Sequence, residues 1–365
     1  MTPCFEMAYI FRSINELEDL GSENMADTHR RNFLYSLAVL GLGAGIPVLT
    51  WAPQGKAQSR GQISKTMPLM NTLVTIEIRD SSREHALEAQ EAAFQAMREV
   101  LPIFDRFRTD SHISHLNQSG ILRDVPQSLN QVLTACTDLY EHSQGHFDIT
   151  ILPLLQASRH ALRRTGNPLP PRDIEELREV IGFQGVRYDP KNVRLDRSGM
   201  QITLDGIAKG HIVDRAVAAL RTKGVHRALV NAGGDIRVIG GSLNLPWRIG
   251  IQDPTRKDRH LAQLALGQAA VATSGSYEQF FDPLARHHHL IDSTGYSPRR
   301  PLSVTVVAPT AMQADGLGTA LFLMPLDQGL QLASSLSGVQ AAIITRGNRI
   351  LTTPGWDRLM LSKQA

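Results

Sequence analysis

Four short stretches of this chain carry glycine or polar groups suited to meeting oxygen: Asp205-Gly206-Ile207-Ala208-Lys209-Gly210, Asn231-Ala232-Gly233-Gly234-Asp235, Thr273-Ser274-Gly275-Ser276-Tyr277 and His287-His288-His289-Leu290-Ile291-Asp292. Glycine lets a backbone approach a phosphate closely, hydroxyls and amides donate to its oxygens, and Lys209 can offset its charge. In series they describe a surface for a phosphate-rich ligand. Singly each is weak, since Gly233-Gly234 alone reads more readily as a tight turn.

A fifth stretch, Ala314-Asp315-Gly316-Leu317-Gly318-Thr319-Ala320, is of another kind. Asp315 and Thr319 stand four apart in a helix-like run, so both oxygens project from one face and could grip one hard cation. An Asp favoured by the helix dipole and a buried Thr would leave the same trace. The run His287 to His289 offers no competing zinc site. It has no accompanying Cys or spaced His, and three consecutive residues of a strand cannot face one metal.

These clusters need elements to present them. Met70 to Ile78 is β-branched and partly alternating, which predicts a strand, and Arg83 to Leu101 follows as a helix stopped by Pro102. Helices are expected near 128–142 and 173–181, with a basic, Pro-rich surface loop from Arg159 to Pro171 between them. The centre reads as strand Gln201 to Leu204, helix Ile207 to Lys223, and strands Arg227 to Asn231 and Asp235 to Ile239. Further strands are expected at Trp247 to Ile251, Ala269 to Thr273, Ser303 to Ala308 and Ala341 to Thr345, with a helix from Met312 to Leu323. Each glycine cluster falls at a strand end, where loops carry function. Strands and helices mix without strict alternation, which argues an α+β class and one continuous domain.

Of the 365 residues, 42% are hydrophobic and 20% charged, an ordinary globular composition. The net charge of +3 is spread out and not interleaved with aromatics, which argues against a nucleic-acid partner. Arg30 and Arg31 precede an apolar run from Leu37 to Trp51 and a small-residue site near Ala57, a pattern that resembles a twin-arginine export signal. The expected division is therefore an N-terminal extension and signal over 1–57 and one domain over 58–365, with export to the periplasm, or membrane association if the signal is retained. Cys4 and Cys136 are the only cysteines, so a mature chain holds one thiol and no internal disulfide.

Eight ordered motifs carry a wider resemblance. They are Met70-x-Thr72, Ser111-x-Ile-Ser-x-Leu-Asn117, Gly145-x-Phe-Asp-x-Thr150, Gly206-Ile-Ala-Lys-Gly-x-x-Val-Asp214, Asn231-x-Gly-Gly-Asp235, Thr273-Ser-Gly-x-Tyr277, His289-x-Ile-Asp-x-Thr-Gly295 and Ala314-Asp-x-x-x-Thr-Ala320. In order and spacing they are similar to the ApbE-like FAD:protein FMN transferases. The resemblance implies a T-fold-like α+β domain with mixed or antiparallel sheets and packed helices, FAD as substrate, and Mg²⁺ held by Asp315, Thr319 and the main-chain carbonyl of Ala208. It implies that a Ser or Thr hydroxyl of an acceptor flavoprotein, part of a membrane or periplasmic electron-transfer complex, attacks the flavin-side phosphorus and releases AMP. Lys209 is then expected to neutralise charge, and His289 and Asp292 to handle the proton or orient the hydroxyl. Met70 and Tyr277 would pack near the flavin, with Asp205, Gly206, Asn231, Gly233, Gly234, Thr273, Ser274 and Gly275 near its polar groups. Asn71, Asp205, Gln279 and Ser293 depart from the family's usual residues. An FAD pyrophosphatase, an FAD-binding assembly factor and a solute-binding protein are the competing readings.

Overall fold

The computed structural model describes residues 61–361 apart from 243, 257, 283–285 and 300, all within one unit. The expected export signal and the boundary at residue 57 lie outside the described residues. In chain order the elements open with strands β1 (Gln62–Leu69) and β2 (Thr72–Arg79), then helices α1 (Arg83–Phe104) and α2 (His112–Ser119). Strand β3 (Ile121–Arg123), helices α3 (Gln127–His142), α4 (Leu152–Thr165) and α5 (Pro171–Arg178), and strands β4 (Val186–Tyr188) and β5 (Asn192–Leu195) follow. The second half holds α6 (Ala208–Thr222), β6 (Ala228–Ala232), β7 (Asp235–Ile239), β8 (Trp247–Gln252), β9 (His260–Leu266) and β10 (Ala269–Gly275). It ends with β11 (Pro301–Ala308), α7 (Ala311–Leu323), α8 (Leu326–Ser335), β12 (Gln340–Thr345) and β13 (Ile350–Thr352).

Eight strands form one antiparallel sheet in the order β1-β2-β6-β7-β10-β11-β12-β13, so the α+β expectation holds. Helix α6 packs between α1 and α7, and α7 lies on β10 and β11. The composition of α7 explains its place. Ala314, Leu317, Ala320, Leu321 and Phe322 are buried together with Asp315, Gly316 and Gly318, so the helix meets protein on nearly every side. Gly210 of α6 makes the crossing possible, since a Cβ there would stand 2.3 Å from the carbonyl oxygen of Ala311.

The two helices cap each other. Asp214 of α6 accepts from the amides of Ala311 and Met312 at the start of α7, at 2.9 and 3.0 Å. Asp315 of α7 accepts from the amide of Gly210 in the first turn of α6, at 2.9 Å. Helix N-termini leave amides without partners, and a carboxylate there also meets the positive end of the dipole. This exchange fixes the register of α6 against α7.

Several sequence expectations change. Helix α1 runs through Pro102 to Phe104, because burial of Ile103 and Phe104 offsets the one backbone bond that proline removes. The stretch from Arg159 is not a loop but the end of α4, with only 166–170 outside helix before α5. Gln201 to Leu204 is not a strand: Asn117 instead holds it, donating to the Ile202 carbonyl at 2.9 Å and accepting from the Ile202 amide at 2.8 Å. His287 to His289 is irregular chain with a single bridge from His288 to Phe280.

Two buried histidines give the fold a pH dependence. His211, edge-on to Phe104, and His288 are both pulled down to about 4 by burial. An unfolded histidine takes its proton near pH 6.5. Between pH 6.5 and 4 the unfolded chain therefore binds protons that the folded chain refuses, so stability is whole above about 6.5 and falls as pH drops through that window. Each histidine contributes up to about 1.4 kcal/mol per pH unit there. Thermal unfolding at pH 7 and pH 5 should show a lower midpoint at pH 5, and a His211→Gln variant should lose part of that difference.

Candidate active site

One cleft gathers most of the chemistry-bearing residues. It spans about 1280 Å³ including its open mouth. Its floor is the crossing of α6 and α7, and loops around 145–149, 203–206, 278–281 and 289–293 form its walls.

On the floor, Lys209 Nζ pairs with Asp235 Oδ2 at 2.9 Å. Burial works against the Lys209 charge, but Asp235 and Asp315 outweigh it and raise the lysine's pKa, so it stays an ammonium. Burial in turn raises the pKa of Asp235 against the pull of Lys209. Asp315 is raised well above the usual carboxylate range by burial first and by the neighbouring Asp235 second. Two buried carboxylates facing one lysine leave the floor short of positive charge, the condition under which a hard cation is bound.

The oxygens are in place for it. Thr319 Oγ1 lies 3.4 Å from the carbonyl oxygen of Gly206, and Asp315 and Thr319 share one face of α7 as their spacing predicts. The carbonyl at this point is that of Gly206 and not of Ala208. Ala208 is the first residue of α6, so its carbonyl points along the helix, whereas Gly206 precedes the helix. The amide that would bond to Gly206 in a longer helix, that of Gly210, donates to Asp315 instead. Among the described residues no cluster of three or more His, Cys, Asp or Glu is arranged to hold a metal. Asp315, Thr319 and Gly206 bring one carboxylate, one hydroxyl and one carbonyl oxygen to this point.

Of the remaining expected residues, Asp205, Gly206, Thr273, Ser274, Gly275 and His289 line the same cleft. Thr273 Oγ1 lies 2.9 Å from Thr305 Oγ1, and Asp205 Oδ2 accepts from Arg106 Nε at 2.7 Å. His289 is half-buried, which lowers its pKa, and its Nδ1 has no hydrogen-bond partner among the described residues. It is therefore a neutral imidazole with a free nitrogen at the cleft wall.

Met70, Asn231, Gly233 and Gly234 form a second group beside the cleft. Met70 and Asn71, both with φ of 54°, make the two-residue turn between β1 and β2. Asparagine tolerates that left-handed conformation, which accounts for Asn71 in place of glycine. Gly233 and Gly234 make the turn between β6 and β7, and Asn231 Oδ1 accepts from the Gly234 amide at 2.9 Å. The turns touch, since a Cβ on Gly233 would stand 2.3 Å from Thr72 Oγ1. Tyr277 packs its ring over Gly275, and burial pushes its hydroxyl up to about 12.

Asp292 is engaged elsewhere. Its Oδ1 accepts from the Thr294 amide at 2.8 Å and from the Thr294 hydroxyl, closing a turn. An Asp292→Asn variant keeps that acceptor and should hold turnover within about 3-fold of the parent. A loss of about 100-fold or more in steady-state rate would instead give Asp292 the proton-handling part expected from sequence.

Sequence reasoning passed over three positioning residues. Arg106 carried no motif. Asp214 ended one, but only the α6–α7 crossing shows its partner. Asp148 sits in the Gly145 to Thr150 motif, accepts from the Thr150 amide at 2.8 Å and the Phe183 amide at 3.2 Å, and shapes the cleft wall.

Residues 70–344 match the model of the ApbE family. The chain is 30% identical over 325 residues to an FAD:protein FMN transferase of Treponema pallidum, covering 82% of this chain and 89% of that one. It is 28% identical over 315 residues to the FAD:protein FMN transferase of Vibrio cholerae, covering 84% and 91%. The solved structure of an ApbE protein from Thermotoga maritima superimposes with a TM-score of 0.73 at 28% identity, covering 82% of this chain and all of that one.

Proposed function

This chain belongs to the ApbE family, and on that premise we propose that it is an FAD:protein FMN transferase, which moves FMN from FAD onto an acceptor protein. The observation that carries the reading is the floor of the cleft, where Lys209, Asp315, Thr319 and the Gly206 carbonyl converge at the N-terminus of α6.

The reaction is a displacement at phosphorus. A Ser or Thr hydroxyl of the acceptor attacks the flavin-side phosphorus of FAD, the bridging P–O bond breaks, FMN stays on the acceptor in phosphoester linkage, and AMP leaves. Such a step needs positioning and positive charge on the pyrophosphate oxygens. Lys209, fixed by Asp235, supplies a permanent charge and does not serve as a base. The N-terminal end of α6 adds its dipole. His289, neutral and with a free nitrogen, is the group we assign to take the proton from the hydroxyl. Asp315, Thr319 and the Gly206 carbonyl would hold Mg²⁺, which fits a donor set of hard oxygens around a buried carboxylate. When bound, the cation would neutralise charge developing on the pyrophosphate.

The twin-arginine-like stretch supports a periplasmic site of action, and with it an acceptor in a periplasmic or membrane electron-transfer complex. The test is to incubate the protein with FAD, Mg²⁺ and an acceptor domain carrying a Ser/Thr flavinylation motif, and to read the acceptor by intact mass. A gain equal to FMN with release of AMP is the expected result. Free FMN and AMP without a mass gain would make the protein an FAD pyrophosphatase, and bound FAD without products an assembly factor.

A further inference from the structure

Next to the main cleft lies a smaller depression of about 390 Å³, bordered by Ser114, Asn117, Gln118 and Gln201. Arg106 and Gln156 line both spaces, so the two adjoin and Arg106 stands between them. The arginine is held from two sides. Its Nε donates to Asp205 at 2.7 Å, and its guanidinium lies 4.1 Å over the ring of Phe107, which is 61% exposed.

The two spaces differ in chemistry. The main cleft carries Lys209, Asp235 and Asp315, the groups suited to a pyrophosphate and a cation. Apart from Arg106 the annex carries no ionised side chain. Asn117 spends both amide atoms on Ile202, and Ser114 Oγ donates to the Arg106 carbonyl at 3.1 Å. That leaves the carboxamides of Gln118, Gln156 and Gln201, which make no hydrogen bond to any described residue. A carboxamide both donates and accepts. It matches the backbone of an extended peptide, in which every residue offers one N–H and one C=O that must find partners once water is excluded.

We propose that this annex binds the main chain of the acceptor's Ser/Thr segment. Gln118 and Gln201 pair with its backbone, and the hydroxyl reaches the main cleft past Arg106. The inference rests on the transferase reading, which requires a polypeptide to enter a site already occupied by FAD. It separates the two substrates, with the dinucleotide on the charged floor and the peptide among neutral amides.

A Gln118→Ala/Gln201→Ala double variant tests it, because both side chains lie outside the main cleft. Losing two such hydrogen bonds should raise KM for the acceptor domain about 5- to 30-fold, with kcat and the FAD dissociation constant within about 2-fold of the parent. Acceptor KM is read from the rate of FMN addition by intact mass, and FAD affinity from quenching of flavin fluorescence. An unchanged acceptor KM would overturn the proposal. So would a parallel loss of FAD affinity, which would give the annex to the adenine end of the dinucleotide. If the unsubstituted protein binds FAD but adds no FMN to the acceptor, the transferase reading fails and this inference fails with it.

Discussion

Replacing Asp315 with asparagine should lower turnover by about 10²- to 10³-fold while the protein keeps its fold. The substitution separates the two tasks of this carboxylate. Its Oδ2 accepts from the Gly210 amide at 2.9 Å, and an asparagine carbonyl can do the same in the same volume. What is lost is the charge: burial first and Asp235 second raise the pKa of Asp315, against the pull of Lys209 and the Gly210 amide. A hard cation prefers an anionic oxygen, so divalent affinity should fall with activity. Calorimetric titration of Mg²⁺ into the FAD-loaded protein measures the first, and AMP release the second. Asp315→Ala should lose both as well, with an added drop in thermal midpoint from the missing cap. Full activity and unchanged Mg²⁺ affinity in Asp315→Asn would remove Asp315 from the metal site.

The second large effect is expected at Gly210. In an exposed helix a Gly→Ala change stabilises by about 1 kcal/mol. Here the new Cβ would stand 2.3 Å from the Ala311 oxygen, 2.5 Å from its carbon and 2.7 Å from the Met312 amide nitrogen. Those are backbone atoms, so no side chain can swing away, and α6 and α7 must part. Overpacking of this kind costs about 1–3 kcal/mol, and a misplacement of about 1 Å in a site can cost about 100-fold in rate. Parting the helices weakens the exchange of caps between Asp214 and Asp315 and moves Lys209 away from Asp315. We expect Gly210→Ala to lower both the thermal midpoint and kcat. A higher midpoint with kcat retained would show that the crossing has slack the structure does not suggest.

The floor of the site was the legible part. Asp315 and Thr319 could be placed on one helix face from spacing alone, and the β10–β11 and β6–β7 strands were found because their cores are β-branched and continuous. Strand β1 escaped notice because Gln62–Leu69 contains Lys65 and Pro68 and is half-exposed. Its strand character comes from pairing with β2, which composition does not report. Strands β3, β4 and β5 have three or four residues each, too few for a period. Arg159 to Thr165 was read as loop from its basicity, yet those arginines belong to an amphipathic helix whose Leu154, Ser158 and Leu162 are buried. That Thr319 meets the Gly206 carbonyl, where sequence pointed to Ala208, follows from where α6 begins. That start is set by Asp315 from 105 residues away along the chain.

The setting of α7 has a consequence for how such a protein can change. Nearly every side of that helix is already in contact with protein, so a substitution there disturbs the fold as well as the chemistry, and FAD handling is held in place by stability itself. The rim is under no such hold. Phe107, Phe280 and Tyr296 are exposed, and replacing them costs the core little. Descendants of this chain can therefore drift towards new acceptor proteins through their rim loops while the reaction beneath stays the same.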